Sequence, residues 1–267
     1  MTLTGTNTYL VGAAPCWVID PGPDDERHVA AVRDAAESRG GIGGVVLTHS
    51  HADHSGGVES LGEPLAWGEV AGAFETDWAR GRTAAGPVAG SPFPALPGQS
   101  GSRERDFPTP PAEEAQATER LGPFTVIPTP GHAADHVCFL WERVLFCGDL
   151  VLGEGSTIVP PAAFGGSLAD YMDSLERVAA LGPELMAPGH GPWITDPKAR
   201  LAEYLKHRRE REAKLRAALE AGERSREALL DAAWGDVPQV LRPAAALAMQ
   251  AHLEKLEGEW GKPLELE

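Results

Sequence analysis

Thr48-His49-Ser50-His51-Ala52-Asp53-His54 holds four metal-capable side chains within six residues, and the fold is read outward from it. Directly before it runs Val45-Val46-Leu47, short, β-branched and preceded by glycines, which reads as a buried strand ending at the first candidate ligand. Side chains on extended backbone repeat every two residues, so His49 and His51 point the same way. Asp53 and His54 follow where the chain turns, next to a second centre. Imidazole and carboxylate suit zinc and also accept iron or manganese. The rival reading is a polar loop that happens to be rich in histidine. The spacing H-x-H-x-D-H favours a metal site.

Three later positions share one trait: each puts a ligand-type residue at the end of a strand-like run, beside glycine. They are Thr129-Pro130-Gly131-His132, Cys147-Gly148-Asp149 and Pro188-Gly189-His190. Strand ends are rigid platforms, and a neighbouring glycine lets the backbone approach a metal closely. One such residue alone is more often structural. Three in series after the His-rich stretch point to a shared site.

The whole chain sets outer bounds. Its 267 residues can bury a large core, as one domain or as a large one with a small one. Apolar content of 42% and charged content of 23% are ordinary for a soluble globular protein. Cys16, Cys138 and Cys147 are too few and too scattered for a disulfide framework, which favours a reducing compartment. No apolar run approaches the roughly 20 residues of a membrane span. The start, Met1 to Asn7, shows no export signal, so a cytoplasmic location is expected. The net charge of −16 opposes non-specific attraction to nucleic acid. Residues 197–216 are the exception, with eight Lys/Arg against three Glu.

Along the chain, Thr6–Val11 and Cys16–Ile19 read as a hairpin closed by Asp20-Pro21-Gly22-Pro23. Asp24–Ser38 reads as a helix with Val29, Val32 and Ala36 on one face. A short strand near Leu65–Trp67 and a weak helix near Glu69–Trp78 follow. Residues 81–118 lack periodicity and are rich in Pro, Gly, Ser and Thr: a loop insertion, either a surface excursion or a lid. Strands are expected at Phe124–Ile127, His136–Trp141, Val144–Cys147 and Leu185–Ala187, with a helix over Leu168–Leu181. From Pro197 the pattern turns all-helical, which divides the chain into a body of residues 1–196 and a C-terminal domain of residues 197–267.

These motifs resemble the metallo-β-lactamase superfamily over residues 5–195. The resemblance implies a four-layer αββα sandwich (an α/β, or α+β, fold) with the metals at one sheet edge. It makes His49, His51 and His132 ligands of a first zinc, Asp53, His54 and His190 ligands of a second, and Asp149 the bridging carboxylate. Gly5-Thr6-Asn7-Thr8-Tyr9-Leu10-Val11, His54-Ser55-Gly56-Gly57 and Gly148-Asp149-Leu150-Val151-Leu152-Gly153-Glu154-Gly155-Ser156 are similar to the lactamase-beta-2-like group, which includes endoribonucleases with a C-terminal winged helix. Two departures stand out. Ala133 replaces a frequent hydroxyl residue, and relatives tend to carry another strand before Asn7. True β-lactamase activity is not expected, because the lactamases resembled use a cysteine ligand. Cys147 lies two residues before Asp149, and Asp149 is the preferred ligand.

The implied chemistry is hydrolysis by an activated water on two Zn2+, with Mn2+ or Fe2+ as substitutes. Asp53 and Asp149 are the catalytic carboxylates, and His136 is a candidate to bond a substrate phosphate or carboxylate or to protonate the leaving group. The bland reading of His136 is a polar residue at a strand start. Asp20 is read evenly as a partner fixing a histidine tautomer or as a turn former. The leading expectation for substrate is single-stranded RNA, from the resemblance and the basic 197–216 helix. A small thioester or ester is the alternative, as in glyoxalase-II-like and polyketide-thioesterase members, and low aromatic content (6%) does not favour base stacking. A third reading makes the tail a winged-helix module for nucleic-acid binding or dimerisation. A homodimer is compatible with all three.

Overall fold

The computed structural model describes residues 5–62, 65–67 and 120–267. The expected helix near Glu69–Trp78 and the 81–118 insertion lie outside the described residues. The chain opens with β1 (Tyr9–Val11) and β2 (Cys16–Ile19), paired antiparallel with Tyr9 opposite Ile19. Helix α1 (Glu26–Glu37) follows, its first turn capped by the Asp25 carboxylate, which accepts the His28 N–H at 2.9 Å. It buries Val29, Val32 and Ala36, the face its periodicity predicts. Strand β3 (Ile42–Val46) lies parallel to β2 and delivers the metal loop into two short helical turns, α2 (Ala52–Ser55) and α3 (Val58–Leu61). Strand β4 (Leu65–Trp67) completes the first sheet beside β3.

The second sheet is a meander of β5 (Arg120–Leu121), β6 (Phe124–Pro128), β7 (Val137–Trp141) and β8 (Val144–Gly148), closed by β9 (Leu185–Pro188) parallel to β8 after helix α4 (Leu168–Leu181). The two sheets bury Val11, Ile19, Val46, Phe124, Phe139 and Phe146 between them. Outside the first sheet, Val18, Val45 and Leu47 pack with Val29, Val32, Val58 and Leu61. Outside the second, Leu145 and Cys147 pack with Tyr171, Leu175 and Val178 of α4. Alternation along the strands decides this: Val45 and Leu47 face the helices, and Val46 faces the other sheet. The result is the four-layer αββα sandwich. Burying strands on both faces is why Val45-Val46-Leu47 is continuously apolar.

The topology fixes where a site can form. Strands β6 and β8 are both antiparallel to β7, and β9 is parallel to β8, so β6, β8 and β9 end at one edge where β7 begins. In the first sheet β2 and β3 run together and β1 runs against them, so Asp20, Thr48 and the segment before Tyr9 share an edge. Asn7 joins the two edges, its Nδ2 donating to Pro188 O at 3.0 Å and to Gly191 O at 2.8 Å.

The chain ends in helices α5 (Pro197–Glu220), α6 (Arg226–Trp234) and α7 (Arg242–Trp260). Leu201 and Tyr204 of α5 pack on the body with α4, whereas Leu215 and Leu219 pack with Leu229, Trp234, Met249 and Leu253 of the later helices. Residues 197–267 contain no β-strand, where a winged helix carries a hairpin. The C-terminus folds back through one backbone bond, Glu267 N–H to Arg224 O at 3.0 Å, and through Leu264 and Leu266 packed on these helices, so the winged-helix comparison rests on the helices alone. Among the described residues, no helix is long and apolar enough to cross a membrane.

Candidate metal centre

The seven candidate ligands converge at the shared sheet edge. His49, His51 and His132 form one group of donors, Asp53, His54 and His190 another, and His49, His54 and Asp149 a third between them. His51 Nδ1 stands 3.0 Å from His49 Nε2 and 3.1 Å from His132 Nε2. His190 Nε2 is 3.3 Å from Asp53 Oδ2, and His54 Nε2 is 3.8 Å from the same oxygen. Asp149 lies between the groups. Its Oδ2 is 3.7 Å from His132 Nε2, and its Oδ1 is 3.6 Å from His54 Nε2 and 3.5 Å from His190 Nε2. One carboxylate thus turns one oxygen to each group.

These spacings suit cations better than hydrogen bonds. Two ligand atoms, each about 2.1 Å from one zinc at tetrahedral angles, stand about 3.4 Å apart. His54 Nε2 and Asp149 Oδ1 are buried without a hydrogen-bond partner among the described residues, although buried polar atoms are nearly always satisfied. A divalent cation accounts for both orphans. Gly189 leaves the room: a Cβ there would stand 2.6 Å from Asp149 Oδ1 and from His54 Cε1.

Outer partners set each ring's tautomer. His132 Nδ1 donates to Ile158 O at 2.8 Å, and His190 Nδ1 donates to Gly5 O at 2.9 Å. A carbonyl only accepts, so each Nε2 keeps its lone pair for a cation. Asp20 supports two more. Its Oδ2 meets His54 Nδ1 at 2.9 Å and accepts the Thr48 hydroxyl at 2.7 Å, while Oδ1 accepts the Thr48 N–H at 2.7 Å. With its own proton on Asp20, Thr48 Oγ1 accepts from His49 Nδ1 at 3.1 Å. Asp20 also takes a left-handed φ of +50° just past the end of β2.

Protonation divides the ligands: burial opposes charge on His54, yet Asp20, then Asp149 and Asp53, hold it above its ordinary value. Burial holds His49 well below its ordinary value, and burial lowers His132 as well. The His190 hydrogen bond keeps Asp53 low. Burial opposes ionisation of Asp149, yet His190, His54 and His132 outweigh it and hold the carboxyl down. Burial likewise opposes charge on His190, but Asp149 and Asp53 raise it to about 10, so cation binding there displaces a proton.

Two further residues lie beside the donor set, His136 and Cys147. His136 is 1% exposed, its Nδ1 is 2.9 Å from Thr129 Oγ1, and its Nε2 accepts the Asp149 N–H at 3.2 Å. Burial lowers its pKa to about 3. The buried ring is thus held between the Thr129 hydroxyl and the Asp149 backbone. Cys147 faces the α4 core, and its Sγ lies 3.4 Å from Val151 O. The ladder shifts register after Phe146 and Gly148 takes φ +45°, so Cys147 and Asp149 do not point the same way.

Sequence reading missed Asp135, whose Oδ2 accepts the Ser50 N–H at 2.9 Å and pins the metal loop from 85 positions away. No local signal marks such a contact. It also misread α5. Arg208 and Arg211 are 4% and 8% exposed and fall in one stripe with Leu201, Tyr204, Leu215 and Leu219 at steps of three and four, a signal present in the sequence. Arg208 donates to Thr157 O, Arg211 to Ala233 O and Asp236, and Arg200 to Leu152 O and Gly155 O. Arg209 pairs with Glu176, and Arg216 with Glu259.

A sandwich with this donor set at one edge defines a metal-binding hydrolase of the metallo-β-lactamase kind. The family model described as Metallo-beta-lactamase superfamily matches residues 1–190, and the chain belongs to that superfamily. It is 34% identical to the Beta-lactamase-like protein 2 homolog of Drosophila melanogaster, over 97% of this chain and 84% of that one. It is 31% identical to the Atrochrysone carboxyl ACP thioesterase of Aspergillus fumigatus, over 87% of this chain and 65% of that one. Among solved structures, a metallo-beta-lactamase family protein from Thermus thermophilus matches with a TM-score of 0.63 at 26% identity, covering 96% of this chain and 89% of that one.

Proposed function

We infer that the chain is a binuclear zinc hydrolase of small acyl thioesters or esters. Two zinc ions, when bound, supply Lewis acidity and a water whose pKa falls to about 7. His49, His51 and His132 would hold one ion, Asp53, His54 and His190 the other, and Asp149 both. Asp149 and Asp53 stay ionised beside these donors, and the Asp53 side chain, 33% exposed, is the more accessible of the two carboxylates. It is the group placed to take the proton that the attacking water releases. The outer bonds of Asp20, Ile158 O and Gly5 O hold the ring nitrogens oriented, which lowers the reorganisation needed during reaction.

The observation that carries the choice of substrate is the fate of α5. Its arginines were the reason to expect RNA, and they are spent on carbonyls and carboxylates of this chain. Lys198, Lys206, Arg209 and Lys214 remain exposed, Lys206 and Arg209 paired with Glu210 and Glu176, on a molecule of net charge −16. A phosphodiester polymer finds little there to neutralise its backbone. A relative named as a carboxyl thioesterase adds support for acyl chemistry.

The test is a panel run with zinc or manganese: acyl-glutathione, acyl-coenzyme A and simple esters beside labelled single-stranded RNA. Metal-dependent thioester turnover supports the reading. RNA cleavage with a flat thioester response overturns it in favour of the phosphodiesterase expectation.

A further inference from the structure

Helix α5 presents Arg200, Tyr204 and Arg208 on successive turns of one face, four residues apart. All three reach the same segment, residues 152–157, which leaves the bridging Asp149 and leads to Ile158. Tyr204 Oη accepts the Leu152 N–H at 2.9 Å, and Arg200 holds Leu152 O at 3.1 Å and Gly155 O at 2.6 Å. Arg208 donates to Thr157 O and lies 3.4 Å from Ser156 Oγ. From that segment two bonds enter the metal centre. Thr157 Oγ1 donates to Asp149 O at 2.6 Å, and Ile158 O accepts His132 Nδ1 at 2.8 Å.

Arg208 is the informative member. It is 4% exposed, and no carboxylate lies within ion-pair distance of it among the described residues. Its Nε has no partner there either. A buried guanidinium without a counter-ion is costly, and its offsets here are a carbonyl, a hydroxyl and the Tyr171 ring, 5.3 Å away. Nothing about folding α5 demands a cation at this point, since Leu201, Leu215 and Leu219 fill the same stripe with hydrocarbon.

We propose that Arg208 is a positioning residue for the metal centre, clamping residues 156–158 so that His132 and Asp149 face the cations together. Helix α5 is then a structural part of the site. This rests on the two-metal reading above, and its test separates the two claims. Zinc affinity of the full-length protein is measured by competition with a chromogenic chelator, beside thermal unfolding of the metal-free form. The variants are Arg208→Met, Arg208→Lys, Thr157→Val and, as control, Arg211→Met, whose arginine is also buried on α5 but bonds to His207 of α5 itself, to α6 and to the residues just after it.

Arg208→Met is expected to weaken the more labile zinc about 10- to 100-fold, the usual effect of losing an outer partner. Thr157→Val is expected to act in the same direction, and it tests the same relay if Arg208→Met fails to fold. Arg208→Lys recovers part of the affinity, because an ammonium still donates to Thr157 O. Arg211→Met is expected to lower the unfolding temperature with zinc affinity unchanged. Wild-type affinity in Arg208→Met and Thr157→Val, or equal loss in Arg211→Met, overturns the proposal and leaves the metal reading standing. A wild-type protein that takes up no zinc overturns both.

Discussion

Two buried polar clusters in this molecule look alike in sequence and behave in opposite ways. At the sheet edge, His54 Nε2 and Asp149 Oδ1 have no hydrogen-bond partner among the described residues and face one another 3.6 Å apart. On α5, Arg211 is as deeply buried, yet it meets Ala233 O and both oxygens of Asp236. The first cluster leaves its valences open for something outside the chain. The second closes them on the chain itself. The difference between His54 and Arg211 is one of satisfaction, not of charge or burial, although His252 beside α5 also keeps both ring nitrogens without a hydrogen-bond partner among the described residues.

The largest expected effect tests the open cluster at its centre. Asp149→Ala removes the one side chain that faces both donor groups, and hydrolysis of the best substrate is expected to fall about 1000-fold or more. The check is kcat together with zinc stoichiometry, which drops below two. Full activity with one zinc would show that the bridge is not what the site depends on. Asp20→Asn sharpens the same point from outside. An amide cannot accept at both positions, so Thr48 and His54 lose part of their anchoring. Zinc affinity is expected to fall about 10-fold or more while the apo protein stays folded.

The contrast also explains what sequence could show. Four ligands were legible from the His49–His54 spacing, and three more because each sits at or just past a strand end beside glycine: His132 after Gly131, Asp149 after Gly148, His190 after Gly189. The layers were legible because Val45-Val46-Leu47 had to be apolar on both faces. The role of His136 was not, since whether a ring faces solvent or the Asp149 N–H depends on a turn between β6 and β7 that no short pattern encodes. The arginines of α5 were read as part of a basic helix, on whose exposed side Lys206 pairs with Glu210 at 3.8 Å. Arg208 escaped because its partners lie about fifty positions back, in a loop whose path over α5 is a tertiary fact.

On the closed cluster the expected effects are smaller and fall on stability. Arg211→Met removes charge-assisted bonds to Ala233 O and Asp236 and is expected to destabilise by about 2 kcal/mol. Denaturant unfolding reads this directly. A loss that instead appears in metal affinity would erase the distinction between the clusters.

The smallest effect is a pH dependence in the same helices. Glu212 of α5 has Lys255 Nζ 3.0 Å from Oε2 and His252 Nδ1 3.7 Å from it. His252 and then Lys255 hold its carboxyl at about 2, below its ordinary value of 4.5. A carboxyl depressed in the folded state stabilises fully above the unfolded value, and that contribution disappears as pH falls through the folded one. The protein should therefore lose about 1 kcal/mol between pH 4.5 and 2 through this group, discounted for its partial exposure. Glu212→Gln removes that part of the acid sensitivity and lowers stability at neutral pH by the same amount. If wild type and variant instead lose stability in parallel below pH 4.5, the ion pair on α5 contributes nothing, and closure of that cluster rests on its arginines alone.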